Sequence, residues 1–464
     1  MKFFEAIANA FRIPDLRKRL MFTLALLAVY RLGGGIPIPG IDTARFEEFI
    51  RQNQGSFLGM FDLFSGGMFR KLTIFALGIM PYITSSIILQ LLTVVVPYLE
   101  KLQKEGELGR RKITQWTRYL TVILAVVQAS IIAGGLQSAT QSFVRNPGFG
   151  FMAMTVLTLT TGTAFIMWLG EQISERGIGN GMSLLIFTGI VVNLPSAIYE
   201  MWTKTQTGDW NVLHVLIIVA LMVAVVAFIV LVERGERRIP VQYAKRMVGR
   251  RVMGGQSSHM PLKVNAGGVI PVIFASSLLA FPQTFLQLEF VKNSSFLSGM
   301  LSSIGGGEPM YYILYVLLII FFCFFYISII FNPAEAADNM RKYGGFIPGI
   351  RPGKSTADYM EKILSRITVA GGLYLSILSL LPMVMIQGIK LQHIPGIGNW
   401  IDTYFPRWLL DGLGVTFFFG GTSLLIVVGV AMDTVNQVEA QLIMRHYEGF
   451  TPRAGRIRGR RSAS

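Results

Sequence analysis

Four histidines, His214, His259, His393 and His446, and a single cysteine, Cys323, are the residues from which metal or nucleophilic chemistry would ordinarily be built. None of the histidines stands at metal-ligand spacing from another histidine, the cysteine or a carboxylate. No phosphate-binding loop, nucleophile elbow or HExxH motif occurs. Gly177-Ile-Gly-Asn-Gly181 has the look of a glycine loop. It joins two apolar runs and follows no strand, so a tight turn between helices accounts for it better than nucleotide binding. Cys323 lies in a Phe-rich run and reads as packing. The expectation is therefore no catalytic residue, no metal and no cofactor. The centres of the apolar runs are also nearly empty of ionisable groups: Glu171, Glu233 and Asp433 fall at their ends, and Arg31 falls where it can snorkel toward headgroups. That pattern counts against ion-coupled transport.

The elements that carry these residues follow from composition. Of 464 residues, 52% are hydrophobic and 15% charged, against about 25% charged in soluble proteins. Apolar stretches of about 20 residues, the length of a membrane-crossing helix, recur ten times. They are read as Leu20–Ile41, Leu72–Tyr98, Trp116–Leu136, Phe149–Gly170, Met182–Trp202, Val212–Val232, Val264–Phe285, Met310–Phe331, Ile367–Ile386 and Gly412–Met432. The runs are continuous rather than alternating, which implies helices and an all-α integral membrane protein. The first run lacks a cleavage signature and reads as a retained span. Ten spans divide into halves, residues 1–203 and 204–433, followed by a basic tail, 434–464.

Of the 42 Lys and Arg, 31 fall in the tails and even-to-odd connections, 9 in the odd-to-even connections, and Arg31 and Arg118 inside spans. Positive residues mark the cytoplasmic side, so both termini are expected there. The connection after the sixth span carries Arg234, Arg237, Arg238, Lys245, Arg246, Arg250, Arg251 and Lys263; the one after the eighth carries Arg341, Lys342, Arg351, Lys354, Lys362 and Arg366. Such loops serve topology and anionic lipid, or dock an anionic partner such as RNA or an acidic protein surface.

Two spans are interrupted in matching places. The second reads Ile79-Met-Pro-Tyr-Ile-Thr-Ser-Ser86 and the seventh Ile270-Pro-Val-Ile-Phe-Ala-Ser-Ser277. Aligning them needs a one-residue shift. Proline-interrupted helices at corresponding places in two halves point to a site between the halves, or to two kinked packing helices. Ahead of the first lies Phe61-Asp-Leu-Phe-Ser-Gly-Gly-Met-Phe-Arg70, semi-apolar and too short to span; a re-entrant segment and a surface amphipathic helix both fit it.

FALGIMPYI (Phe75–Ile83), RGIGNG (Arg176–Gly181), FNPAEAADN (Phe331–Asn339), FIPGIRPG (Phe346–Gly353) and GGTSLLI (Gly420–Ile426) resemble the SecY/Sec61-alpha family of protein-conducting channels. The resemblance runs through all ten spans and both large loops. It implies two five-helix halves closing as a clamshell around a pore in the bacterial cytoplasmic membrane, through which unfolded secretory chains pass and from which membrane segments leave sideways. It implies a plug at Asp62, Leu63, Phe64, Ser65, Gly66, Gly67, Met68 and Phe69. It implies an aliphatic pore ring at Ile79, Ile83, Ile186, Ile273 and Ile426, and a lateral gate between the second and seventh spans, where Thr84, Gln90, Ser276 and Ser277 would bond weakly between helices. It also implies SecE and SecG subunits, signal sequences and lipid as partners. The SecA ATPase or a ribosome would dock at Arg237, Arg238, Lys245, Arg246, Arg250, Arg251 and Arg351. A small-solute transporter with two five-span halves is the alternative.

Overall fold

The computed structural model describes residues 13–52, 62, 65–138, 143–207, 212–243, 246–248, 251–253, 257–287, 291, 294–305, 308–387 and 421–448. Its first helix, α1 (Pro14–Gly33), opens with proline and Asp15 in the first turn and closes at Gly34. It begins earlier and ends earlier than hydropathy implies. Three glycines from Gly33, then Pro37 and Pro39, stop it. A short amphipathic helix, α2 (Thr43–Gln52), follows.

The expected span over Leu72–Tyr98 is helical only from α3 (Met80–Val95), with Pro81 in its first turn. Proline lacks an N–H and suits a helix start, so the preceding residues form turns. Pro97 then starts α4 (Pro97–Lys104), at 99° to α3. The chain continues through α5 (Glu107–Ser138), α6 (Phe149–Arg176) and α7 (Gly181–Val191). A break at Asn193, with Pro195 behind it, separates α7 from α8 (Leu194–Gln206). Next comes α9 (Val212–Glu233), apolar on every side and largely uncovered by protein.

The connection beyond α9 corrects the all-α expectation. Strands β1 (Glu236–Tyr243) and β4 (Ser257–Lys263) pair antiparallel, Glu236 opposite Lys263 and Gln242 opposite Ser257. Between them β2 (Arg246–Val248) and β3 (Arg251–Met253) form a small ribbon of their own. In β1 the buried residues alternate: Ile239 and Val241 are buried while Arg238, Pro240 and Gln242 are exposed. That is a strand's period of two.

Beyond lie α10 (Ile270–Thr284), ending in a single 3-10 turn, then α11 (Ser295–Ser302), α12 (Pro309–Ile330) and α13 (Pro333–Lys342). Strand β5 (Gly345–Phe346) adds to the other edge of β1, giving the order β4-β1-β5. The two basic connections therefore share one sheet. Its inner face packs Ile239, Leu262 and Ile347 on Ile363 and Leu364 of α14 (Lys354–Gln387). The last helix is α15 (Gly421–Glu448). The expected start of the tenth span at Gly412 lies outside the described residues.

Seven helices among the described residues are long and apolar enough to cross a membrane, eight if the bent pair α3 and α4 counts as one span. The protein is a multi-pass helical membrane protein.

Candidate functional site

Four helices converge on one buried apolar cluster. Ile79 and Ile83 come from the start of α3, Ile186 from α7, Ile273 from α10 and Ile426 from α15; all five belong to the cluster. Their exposure runs from 1% at Ile426 to 7% at Ile83, so all five are buried. The contacts between these helices run as a circuit. α3 packs on α10 and α7 on α15, while Gly429 of α15 lies so close to Val269, just before α10, that a Cβ there would sit 2.5 Å from Val269 Cγ1.

The segment before α3 completes the circuit. A Cβ on Gly66 would lie 2.5 Å from Gly189 Cα of α7, and one on Gly78 would lie 3.5 Å from Ser65 Cα. Gly66 and Gly67 have φ of +69° and +80°, a region open to glycine at little cost. Of the eight expected plug residues, Asp62, Ser65, Gly66, Gly67, Met68 and Phe69 are placed here, with Ser65 to Phe69 buried. Leu63 and Phe64 lie outside the described residues. The Ser65 hydroxyl donates to Asp62 O (3.0 Å) and accepts from Phe69 N (3.0 Å). The Arg70 backbone N–H donates to Asp62 Oδ1 (2.8 Å), with the Arg70 guanidinium 3.9 Å from Asp62 Oδ2. Burial pushes the Asp62 carboxyl above its ordinary range, opposed by those two Arg70 groups. Arg31 of α1, which composition assigned to headgroups, instead donates from Nη1 to Gly66 O (3.3 Å).

The four polar residues expected at the side opening behave unequally. Thr84 donates to Met80 O (3.0 Å), Ser276 to Ile273 O (2.9 Å) and Gln90 to Ser86 Oγ (3.0 Å), all within their own helices. A membrane helix offers its own carbonyls one turn back, nearer than any neighbour's groups. Ser277 alone of the four crosses, donating to the Met80 thioether at 3.9 Å. The inter-helix bonding expected of Thr84, Gln90 and Ser276 is thus replaced by intra-helix bonding.

On the sheet, Arg237 and Arg238 are exposed on β1, and Arg351 is exposed between two turns whose glycines, Gly349 and Gly353, have φ of +83° and +110°. Thr356 Oγ1 donates to Arg351 O (2.9 Å), fixing the backbone beneath that side chain. Arg246 and Arg251 stand in β2 and β3; Lys245 and Arg250 lie outside the described residues. The RGIGNG turn is a helix-to-helix turn, as expected. Asn180 caps α7, and Ile178 is buried between Leu16 and the α15 side chains Val438 and Leu442.

Residues 73–435 match the family model described as SecY. The chain belongs to the SecY family. It is 47% identical over 445 residues to the protein translocase subunit SecY of Escherichia coli strain K12, covering 95% of each chain. Its fold resembles the structure titled as the SecY plug domain that stabilises the closed translocation channel and maintains a membrane seal (TM-score 0.62, 19% identity, covering 93% of this chain and 94% of that one). It also resembles canine Sec61 in a ribosome–channel complex from the endoplasmic reticulum (TM-score 0.59, 17% identity, covering 93% and 94%). Sequence reasoning on this SecY-family chain missed Arg31, Arg70, Met80 and Gly189 as parts of the site. Only the paired glycines Gly66-Gly67 gave a signal for close backbone approach.

Proposed function

We propose that the chain forms the passage of a protein translocase: ten spans in two halves, 1–203 and 204–433, closing on one another as a clamshell, with 434–464 a basic tail. In this reading Ile79, Ile83, Ile186, Ile273 and Ile426 are the constriction and Asp62–Phe69 the plug beneath it. The observation that carries the reading is the circuit of contacts linking α3, α10, α15, α7 and the plug segment, with all five isoleucines buried in the same apolar cluster. A narrow apolar constriction excludes ions by dewetting, yet offers no hydrogen bond to detain a passing chain. Branched side chains part and close again around residues of any size. The family is one of channels, not enzymes, and the small-solute transporter reading finds no support among the relatives.

The side opening lies between α3 and α10. The one cross-contact among the four expected gate residues is a hydroxyl–thioether bond, which a hydrophobic helix can displace cheaply. Segments then sort by partition: Leu, Ile or Phe gains about 0.3 to 0.6 kcal/mol at the membrane centre, and Asp, Lys or Arg costs about 2.5 to 3.5 kcal/mol. Energy comes from outside the chain. The two basic connections, with Arg237 and Arg238 on β1, Arg246 and Arg251 in the β2–β3 ribbon, Arg351 in the turn after β5, and Lys245 and Arg250 in sequence among them, face the bacterial cytoplasm with both termini. They dock the SecA ATPase or the ribosome, and SecE and SecG complete the complex.

The test is reconstitution of the chain with its SecE partner in proteoliposomes. With SecA and ATP, an unfolded secretory precursor becomes protected from added protease, and Arg351→Glu lowers that protection without changing insertion of the channel. Absence of protected precursor, together with uptake of a small solute, would overturn the reading.

A further inference from the structure

The plug segment is fastened by groups that the channel reading leaves unused. Arg31 stands in the last turn of α1 and reaches across to the carbonyl of Gly66 at 3.3 Å. A guanidinium on a carbonyl is a charge-assisted bond, roughly twice as strong as a neutral one. It joins a membrane helix to the middle of the segment that has to move. Gly66 is also where that segment meets the α7 backbone, a Cβ there falling 2.5 Å from Gly189 Cα, so the bond holds the residue that makes a close backbone contact of the seat. The second fastening is internal. Asp62 accepts from the Arg70 N–H at 2.8 Å and lies 3.9 Å from its guanidinium, tying the two ends of the segment together. Below Arg70 the chain is pinned to the segment after α1, with Ile38 N donating to Leu72 O (2.9 Å) and Ile74 N to Ile36 O (3.0 Å). The loop therefore has a fixed foot, a braced body and a clasp at its middle.

We propose that Arg31 is the clasp and the Asp62–Arg70 pair the brace of the plug, together setting how much signal-sequence binding is needed before the passage opens. The proposal rests on the plug assignment above. Lifting the plug breaks the Arg31–Gly66 bond outright, whereas the brace travels with the loop and keeps it able to reseat. Arg31 is thus a positioning residue for selectivity rather than a part of the conduit.

The experiment uses the full chain in its membrane complex, in a Cys323→Ser background carrying Met68→Cys, since Met68 is 1% exposed in the seated plug. Three quantities are read: labelling of that cysteine by a membrane-impermeant maleimide, resting ion conductance, and export of a precursor with a defective signal sequence. Arg31→Gln is expected to speed labelling about tenfold, the scale of one lost charge-assisted bond. It is also expected to raise conductance and let the defective precursor through, while a normal precursor is still exported. Arg31→Lys, which keeps a charged donor, restores most of the protection and separates loss of the clasp from misfolding. Asp62→Ala frees the Arg70 N–H and gives a smaller increase in the same direction. Labelling and selectivity unchanged in Arg31→Gln, while deletion of residues 62–69 raises conductance, would overturn the clasp and leave the plug assignment standing. If the deletion itself leaves conductance unchanged, the plug assignment falls and the clasp with it.

Discussion

The entries to α3 and α10 are built alike and held differently. In one constant register Gly78 matches Gly268, Ile79 matches Val269, Pro81 matches Pro271 and Ile83 matches Ile273. The glycines have φ of +56° and +59°. The caps Ile79 and Val269 have φ, ψ of −92°, −5° and −91°, −10°. The bond from Gly78 N to Phe75 O (2.9 Å) repeats as Gly268 N to Asn265 O (3.4 Å). Ile83 N to Ile79 O (3.0 Å) likewise repeats as Ile273 N to Val269 O (3.2 Å). The divergence lies at the foot of each turn. Phe75 is stacked between Tyr30 and Phe165, with ring centroids at 6.0 and 5.9 Å. Its counterpart Asn265 donates to the Glu233 carboxylate at 2.6 Å and to Gly268 O at 3.2 Å. The same backbone turn is thus secured by apolar stacking ahead of α3 and by a polar tie ahead of α10. The turn itself is what α3 and α10, the helices of the proposed side opening, have in common; the anchor varies with what the neighbouring helix supplies.

The comparison breaks most visibly at the two anchors. Phe75→Ala removes a buried ring and should cost about 3 to 5 kcal/mol, read as a fall in the denaturation midpoint of the purified complex. Asn265→Ala leaves Glu233 half-buried without its donor and should cost about 1 to 3 kcal/mol, read in the same measurement. An Asn265 effect as large as that of Phe75 would contradict the assignment of polar and apolar anchors.

Ile83→Asn and Ile273→Asn come next, and as matched positions they should act alike. Each buries an amide without a partner, at about 1 to 3 kcal/mol, destabilising the closed passage. The readout is export of a precursor with a defective signal, and unequal export would mean that the two isoleucines do not share a role. Gly78→Ala and Gly268→Ala should each cost about 1 to 2 kcal/mol through left-handed backbone alone, since neither site has a neighbour closer than 3.5 Å to the added methyl. Ser277→Ala should be the mildest, about 0.5 kcal/mol or less for a weak hydroxyl–thioether contact, seen as slightly easier insertion of marginal membrane segments.

The prolines are legible in the sequence as breaks in two matching spans, but they read as kinks within helices starting at Leu72 and Val264, whereas Pro81 and Pro271 stand in the first turns of helices that start at Met80 and Ile270. The serine pairs misled: matching Ser85-Ser86 to Ser276-Ser277 forced a one-residue shift that the backbone register does not contain. The sheet was hidden because Arg237 stands where the alternation calls for an apolar residue and Pro240 lacks a ladder N–H, leaving only Ile239 and Val241 to show it. Arg31 could not be assigned from sequence, since its acceptor is a main-chain carbonyl and leaves no trace in residue type. The Asp62–Arg70 spacing fits neither a helix nor a strand, so only a folded loop reveals it. The ends of the first span misled as well: the expected run goes from Leu20 to Ile41, past the glycines from Gly33 and past Pro37, whereas the helix runs from Pro14 to Gly33.

The most direct measurement is site-specific crosslinking of a stalled secretory chain, in the Cys323→Ser background, from probes placed at Ile83 and at Ser277. A passage with a side opening between α3 and α10 predicts the signal helix at Ser277 and the following polar chain at Ile83 in the same complex. A folded, partner-bound complex that crosslinks at neither position would contradict the account.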